Sequence, residues 1–193
     1  MNITVGVHID AVLRNWSKSF NKIYLEKFPQ HSHLIKGEKE WIHLPEYNFE
    51  NQSYNEFIKE NSSKINLEAE TLPNVIETMR WLKQISKSLN LDIVIVSKQV
   101  LPVEKQTTYE WLKNNQLNCD RNIFTETFEE KWNYVDILID DSVAVLTTKP
   151  KNKVSIKVLM PYNETINSDV TINSFGSLTF PDILNAISKY KQC

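Results

Sequence analysis

Short apolar runs that end abruptly in polar residues constrain the fold of this chain more than any other feature of its sequence. The clearest runs are residues 3–9, 91–96 and 135–139, with a less regular run at 154–160 and a shorter one at 122–124. Runs of this length, rich in β-branched residues, are typical of strands buried on both faces of a parallel sheet. The sequence therefore predicts a parallel sheet whose strands end in polar residues.

Amphipathic patterns separate these runs. After Pro73, apolar residues recur at helical spacing through residues 75–85, which predicts a helix that leads into the strand at 91–96. Residues 103–117 predict another helix, and Pro181 begins a final one. Strands that alternate with helices predict an α/β fold, in which a Rossmann-like parallel sheet is flanked by helices and residues 1–193 form one domain.

The segment between the first run and Pro73 has a different pattern. Helical stretches at about 16–28 and 54–60 flank a polar middle with many aromatic residues and no strand-like run. A crossover between parallel strands needs only about a dozen residues, so this segment must form something additional. We predict a core of residues 1–14 and 73–193, with a helical cap inserted at about 15–72.

Composition excludes several classes of protein. The net charge is -2 and the basic residues are dispersed, which does not favour tight nucleic-acid binding. The cysteines, Cys119 and Cys193, form neither a disulfide framework nor a zinc motif. No stretch approaches the roughly 18 apolar residues of a membrane span, and we expect a protein of the reducing cytoplasm.

The candidate site lies where the predicted strands end, because ligands of open parallel sheets bind beyond the carboxyl ends of the strands. The polar residues at these ends are His8, Asp10, Ser97, Lys98, Asp140 and Asp141. Adjacent carboxylates after a buried strand repel each other unless a cation is close, and their hard oxygens suit Mg²⁺. The alternative is that Asp140 and Asp141 cap a helix that begins near Ser142.

Phosphoryl chemistry also needs a positive charge and hydrogen-bond donors for the phosphate oxygens. Lys131, nine positions before Asp140, is the preferred lysine if the intervening residues turn into the strand. Lys98 and Lys105 are alternatives, and an isolated lysine is more often simply solvated.

These residues resemble the motifs of the haloacid dehalogenase (HAD) superfamily. Residues 7–14 are similar to its first motif, 94–98 to its second, and Lys131 with 139–141 to its third and fourth. More narrowly, the chain resembles the 5'(3')-deoxyribonucleotidase branch and related phage-type proteins, which also carry a cap after the first motif. The resemblance implies a 5'-nucleotidase-like protein that binds a small phosphorylated ligand, of the nucleotide type, and it is compatible with a homodimer.

The first motif of that family is Asp-x-Asp, in which the first Asp attacks phosphorus and the second is a general acid and then a base. Here His8 stands at the first position. The resemblance implies Asp10 as acid/base and metal ligand, Ser97 and Lys98 as phosphate binders, Lys131 as charge stabiliser, and Asp140 and Asp141 as the Mg²⁺ site. Ala11, where the family usually has Gly, is small enough to keep the loop closely packed.

Three interpretations of His8 stay open. In the first, which we prefer, the pocket still binds its ligand but turnover is lost or much reduced, leaving a binding role. In the second, His8 or a metal-bound water attacks phosphorus, and Mn²⁺ or another softer metal replaces Mg²⁺. In the third, His8 is a core histidine and the fold serves as a non-catalytic scaffold for protein contacts.

Aromatic residues of the cap suggest how a base could be recognised. Trp16, Phe20 and Trp41 are candidates to stack on it, although packing within the cap is the more common role for such residues. Arg14 and Asn15 directly follow the first motif and could face the pocket. The segment 160–163, at the same predicted edge of the sheet, has no role that the sequence identifies.

Overall fold

A computed structural model describes residues 2–35, 47–117 and 119–192. They form one parallel sheet of 6 strands in the order β3-β2-β1-β4-β5-β6, which confirms the predicted α/β fold. The strands are β1 (Ile3–Val7), β2 (Leu91–Lys98), β3 (Arg121–Thr125), β4 (Ile137–Asp140), β5 (Val154–Val158) and β6 (Val170–Ile172). The helices are α1 (Trp16–Lys27), α2 (Tyr54–Glu68), α3 (Val75–Leu89), α4 (Pro102–Asn114), α5 (Val143–Thr147) and α6 (Phe180–Tyr190). None of these helices is long and apolar enough to cross a membrane.

Strand β1 lies in the middle of the sheet, paired with β2 on one side and β4 on the other. The packing around it is close: a Cβ atom at Gly6 would come within 2.6 Å of Val135 Cγ1 and 2.9 Å of Val96 Cγ1. A larger residue at this position would therefore push the neighbouring side chains apart.

The first strand ends earlier than predicted. The prediction was residues 3–9, whereas β1 ends at Val7. The backbone amides of Val12, Leu13 and Arg14 all point to Ile9 O, at 3.3, 2.7 and 3.1 Å, and Ala11 has a φ of 63°. This tight turn takes the chain out of the sheet directly after His8, so the polar residues of the first motif lie in the turn.

Two helices of the structure begin with capping boxes. The Ser53 hydroxyl accepts the Glu56 amide at the start of α2, and Thr179 and Asp182 form the corresponding pair at the start of α6. Such caps satisfy amides that have no partner within the helix. Helix α2 continues to Glu68, well beyond the predicted end near residue 60.

The inserted segment packs around its own aromatic cluster. The buried members of this cap cluster are Phe20, Ile23, Tyr24, Phe28, Phe49, Phe57, Ile58 and Ile65, with Trp16, Tyr47 and Tyr54 among the half-buried residues at its edge. The apolar core of the sheet is a separate set of residues. We propose the cap cluster as the core of the predicted cap.

A short backbone ribbon joins the cap to the sheet. Leu72 N donates to Leu13 O at 2.9 Å, and Asn15 N donates to Glu70 O at the same distance. Helix α2 also packs on α4, where Trp111 Nε1 donates to Ala69 O at 2.6 Å. These contacts connect the segment that contains α1 and α2 to the sheet and to α4.

Asp136 connects several elements at the opposite end of the sheet. Its carboxylate accepts hydrogen bonds from Thr4 N, Lys153 Nζ and Tyr190 Oη, each at 2.9 Å. Replacing Asp136 by Asn removes charge-assisted bonds of this kind, and we expect it to lower the free energy of unfolding by about 1–3 kcal/mol at pH 7. Chemical denaturation measures the difference, with Asp92→Asn at the start of β2 as the control.

The effect of Asp136→Asn should depend on pH. Burial alone would raise the pKa of Asp136, but the hydrogen bonds from Thr4, Lys153 and Tyr190 lower it below its ordinary value. A lowered folded-state pKa contributes stability above the unfolded value of about 3.9, and that contribution is lost as the pH falls through the folded value. The difference between the two proteins should therefore shrink below about pH 4; a constant difference would contradict this role of the ionised carboxylate.

Candidate active site

The register of the sheet brings polar residues from several strands to one edge. Val7 pairs with Ile95 of β2 and with Ile139 of β4. His8, Ser97 and Asp140 come one or two residues after these paired positions, so they lie at the same end of three adjacent strands. His8, Asp140 and Asp141 offer ligand atoms that all lie within 4.8 Å of one another. This is the edge at which the sequence predicted a site.

Lys131 lies at the centre of this group and is completely buried. Its Nζ donates to Asp140 Oδ2 at 2.8 Å and lies 3.1 Å from His8 Nδ1. The 3₁₀ segment Glu129–Asn133 carries it, and the neighbouring Trp132 anchors that segment by donating to Val145 O at 3.0 Å. The predicted turn into β4 therefore exists and places the lysine between the first and last motifs.

His8 Nδ1 lies between a hydrogen-bond acceptor and a hydrogen-bond donor. It lies 3.3 Å from Val96 O, which can only accept, and 3.1 Å from Lys131 Nζ, which can only donate. Burial, followed by the charge of Lys131, lowers the pKa of His8, so the imidazole is neutral at pH 7. The closer and charged partner favours the tautomer with the lone pair on Nδ1 and the proton on Nε2.

The oxygens of Asp140 are both in use. Oδ1 accepts the Ser142 amide at 2.8 Å, and Oδ2 accepts from Lys131. Burial would raise the pKa of Asp140, but the adjacent charge of Lys131 keeps it below its ordinary value. Asp140 thus accepts the amide of Ser142, which precedes α5, and not an amide of the helix itself, so the helix-capping interpretation stays a prediction.

Asp141 has a different environment. Burial, and then repulsion from Asp140, raises the pKa of Asp141 to about 7. Oδ2 accepts a hydrogen bond from Tyr162 Oη, whereas Oδ1 is buried and has no hydrogen-bond partner among the described residues. An orphaned carboxylate oxygen beside a second carboxylate fits a divalent cation. The neutral imidazole of His8 suits Mn²⁺ or Zn²⁺ better than Mg²⁺ as an additional ligand.

Asp10 faces a different partner. Arg14 Nε donates to Asp10 Oδ1 at 2.5 Å, and Gln99 Nε2 lies 3.5 Å from Oδ2. Among the described residues, the group of side chains that could hold a metal ion consists of His8, Asp140 and Asp141, and the expected role of Asp10 as a ligand stays a prediction. Arg14 is fully buried, with its guanidinium carbon 5.5 Å from the Trp111 ring centroid.

Ser97 and Lys98 lie at the end of β2, as predicted. The Ser97 side chain is buried, and Gln99 Nε2 lies 3.4 Å from its Oγ. Lys98 Nζ lies 4.6 Å from the centroid of the Phe128 ring, which Lys131 Nζ also approaches, at 5.5 Å. Both lysine ammonium groups therefore lie close to the Phe128 ring.

The candidate base-contact residues have different positions. Phe20 is fully buried and stacks on Trp16 with ring centroids 5.2 Å apart, so packing within the cap accounts for it. Trp16 is half-buried, and its Nε1 donates to Asn66 Oδ1 at 3.2 Å. Trp41 lies outside the described residues.

Two further residues reach the site without having been assigned a role from sequence. Tyr54 is the first residue of α2: burial, and then the charges of Glu104 and Asp10, raise its pKa to about 12. Tyr162, which follows β5, donates to Asp141. The sequence placed Tyr162 in the segment 160–163, to which it gave no role. The sequence did not predict that Tyr162 bonds to Asp141, at the end of the neighbouring strand β4.

Comparison with known proteins identifies the architecture. No protein-family model and no curated protein matches the chain. Among solved structures, a HAD-like hydrolase from Bacteroides fragilis has a TM-score of 0.61 at 12% identity, over 93% of this chain and 100% of that one. The HAD hydrolase YfnB from Bacillus subtilis, bound to magnesium, has a TM-score of 0.58 at 14% identity, over 90% and 95% of the two chains. CbbY from Rhodobacter sphaeroides, in complex with phosphate, has a TM-score of 0.56 at 12% identity, over 92% and 96%. The chain has the fold of the HAD-like hydrolases.

Proposed function

We propose that this chain binds a phosphate monoester of the (deoxy)nucleotide class, and that its phosphatase activity is lost or much reduced because His8 stands at the nucleophile position. The observation that carries the proposal is the contact between Lys131 Nζ and His8 Nδ1 at 3.1 Å. CbbY, a protein of this fold that was solved with phosphate, supports the phosphate part of the ligand.

The contact with Lys131 explains why His8 is a poor nucleophile. Attack on phosphorus needs a free lone pair on an imidazole nitrogen. When Nδ1 accepts a hydrogen from Lys131, the proton lies on Nε2 and neither nitrogen has a lone pair for phosphorus. Catalysis would require the other tautomer, in which Nδ1 donates to Val96 O and loses its bond to the lysine.

The remaining residues can still hold a phosphate. Lys131 and Lys98 supply positive charge, and the Ser97 hydroxyl can donate to a phosphate oxygen. Asp141, with its free oxygen, would hold a divalent cation, and such a cation when bound neutralises further phosphate charge. Asp10 is paired with Arg14.

The nucleotide part of the proposal depends on the cap. Trp16 and Tyr54 are half-buried at the edge of the cap cluster, so they keep surface that a base could contact. Tyr54 also lies close enough to Asp10 for that carboxylate to raise its pKa. An aromatic face beside a phosphate site is the arrangement that nucleotide recognition needs.

A second candidate is an active hydrolase that uses a softer metal. The observation in its favour is the group formed by His8, Asp140 and Asp141, whose ligand atoms lie within 4.8 Å of one another. A metal that drew His8 into coordination would favour Mn²⁺ or Zn²⁺. Phosphate release by the unchanged protein with these ions, and not with Mg²⁺, would distinguish this function from simple binding.

Calorimetric titration with thymidine monophosphate tests the binding proposal. Ser97→Ala should weaken binding by about 10- to 100-fold, because a hydrogen bond to a charged group contributes roughly 1.5–3 kcal/mol. Ser88→Ala, at an exposed position on α3, is the matched control. Failure of the unchanged protein to bind thymidine monophosphate, or equal binding of thymidine alone, would refute a phosphate site.

A further inference from the structure

The turn after β5 contacts the acidic pair Asp140 and Asp141, and the proposed phosphate ligand does not account for this contact. The turn is the 3₁₀ segment Pro161–Asn163, which lies against the acidic pair at the end of β4. Tyr162 Oη donates to Asp141 Oδ2, and Asn163 Nδ2 donates to the backbone oxygen of Asp141 at 2.7 Å. Both the side chain and the backbone of Asp141 are therefore held by consecutive residues of one turn.

This turn is itself fixed by buried polar contacts. Asn163 is fully buried; its Nδ2 also donates to Val158 O at 2.9 Å, and its Oδ1 accepts the Met160 amide at the same distance. Lys157, 4% exposed, donates its Nζ to three backbone oxygens of the same loop. These oxygens belong to Asn163, Glu164 and Ile166, at 3.2, 3.3 and 2.6 Å. So many contacts leave Tyr162 little freedom to move.

The hydrogen bond from Tyr162 makes the two oxygens of Asp141 unequal as ligands for a cation. Both oxygens of Asp140 are occupied, by Lys131 and by the Ser142 amide. Tyr162 occupies Oδ2 of Asp141, which leaves Oδ1 as the buried oxygen of the acidic pair without a partner among the described residues.

We propose that Tyr162 is a positioning residue of the metal site, which fixes the orientation of the Asp141 carboxylate and leaves Oδ1 available to a cation. This role rests on the proposed divalent-metal site. Without the tyrosine hydroxyl, the Asp141 carboxylate could rotate about its side-chain bonds. It would then have to be ordered when the metal binds, which would weaken binding. Residues that orient a metal ligand commonly affect metal affinity about 10- to 100-fold when they are changed.

Tyr162→Phe tests the role by removing one hydroxyl group. The dissociation constant for Mn²⁺, measured by electron paramagnetic resonance of the free ion, should rise about 10- to 100-fold. Tyr134→Phe removes the same group from a tyrosine that is 49% exposed, and it should leave Mn²⁺ binding unchanged. Thermal melting without metal shows whether each variant is folded.

A second variant keeps the proposal testable if Tyr162→Phe folds poorly. Lys157→Met leaves the hydroxyl in place but releases the loop that carries it, and it should weaken Mn²⁺ binding in the same direction. Equal Mn²⁺ affinity of the unchanged protein and Tyr162→Phe would overturn the role of Tyr162 alone. Absence of Mn²⁺ binding by the unchanged protein would overturn the metal site as well.

Discussion

Replacing His8 by Asp is expected to raise Mg²⁺-dependent phosphate release from p-nitrophenyl phosphate by about 10³-fold or more, because losing a catalytic nucleophile costs on the order of 10⁴–10⁶ in rate. A carboxylate at this position keeps a lone pair for phosphorus while it pairs with Lys131, which the imidazole cannot do in its favoured tautomer. The phosphoryl group would pass to the carboxylate oxygen as the phenolate leaves, and water would then release phosphate. Steady-state release of p-nitrophenol measures the gain.

His8→Asn is the matched control, because it has nearly the size of Asp but no nucleophilic oxygen. It should remain as slow as the unchanged protein, and Asp10→Asn should reduce the activity of the His8→Asp protein. If the unchanged protein already turns over the substrate and Asp10→Asn abolishes this, histidine carries out the chemistry and the proposed loss of activity is wrong. Inactivity of both folded proteins would favour the scaffold interpretation.

Replacing Lys131 by Met should have the largest effect on stability. Lys131, Asp140 and Asp141 are all buried, and the lysine is the cation that the structure places against this acidic pair. Breaking a buried ion pair from one side costs about 3–5 kcal/mol, because a charge remains buried without compensation. We expect a loss of this size in the free energy of unfolding, measured by chemical denaturation at pH 7.

The stability loss should also respond to metal. A divalent cation at Asp141 would offset part of the uncompensated charge, so millimolar Mn²⁺ should restore more stability to Lys131→Met than it adds to the unchanged protein. Lys98→Met is the control, since this half-buried lysine contacts the ring of Phe128 and forms no ion pair with a carboxylate among the described residues. Equal losses in both variants would contradict the special role of Lys131.

The sheet and the grouping of its polar edge were predictable because their signals are local. An apolar run predicts a buried strand, and the residue that follows the run lies at the carboxyl end of that strand. His8, Asp140 and Asp141 could thus be placed together without knowledge of any contact. Lys131 required one more assumption, a turn before β4, and the structure contains that turn.

Features that depend on contacts between distant elements could not be predicted in the same way. Strand β6 has only 3 residues, and its central Thr171 is exposed, so no apolar run marks it. The bond of Tyr162 to Asp141 spans 21 positions, and its geometry follows from the pairing of β4 with β5. The pairing of Arg14 with Asp10 depends on the left-handed turn at Ala11, which a sequence without Gly there does not indicate.

The separation of the aromatic cap cluster from the core of the sheet has a consequence for how the molecule opens. Apolar cores that share few side chains can lose protection from hydrogen exchange as separate cooperative units. Among the described residues, the two cores are connected by the ribbon of Leu13 and Asn15 with Glu70 and Leu72 and by the contact of α2 on α4. Amides of α1 should therefore exchange with solvent through openings that leave β1 and β4 protected, and a ligand that touches both units would slow these openings by joining them.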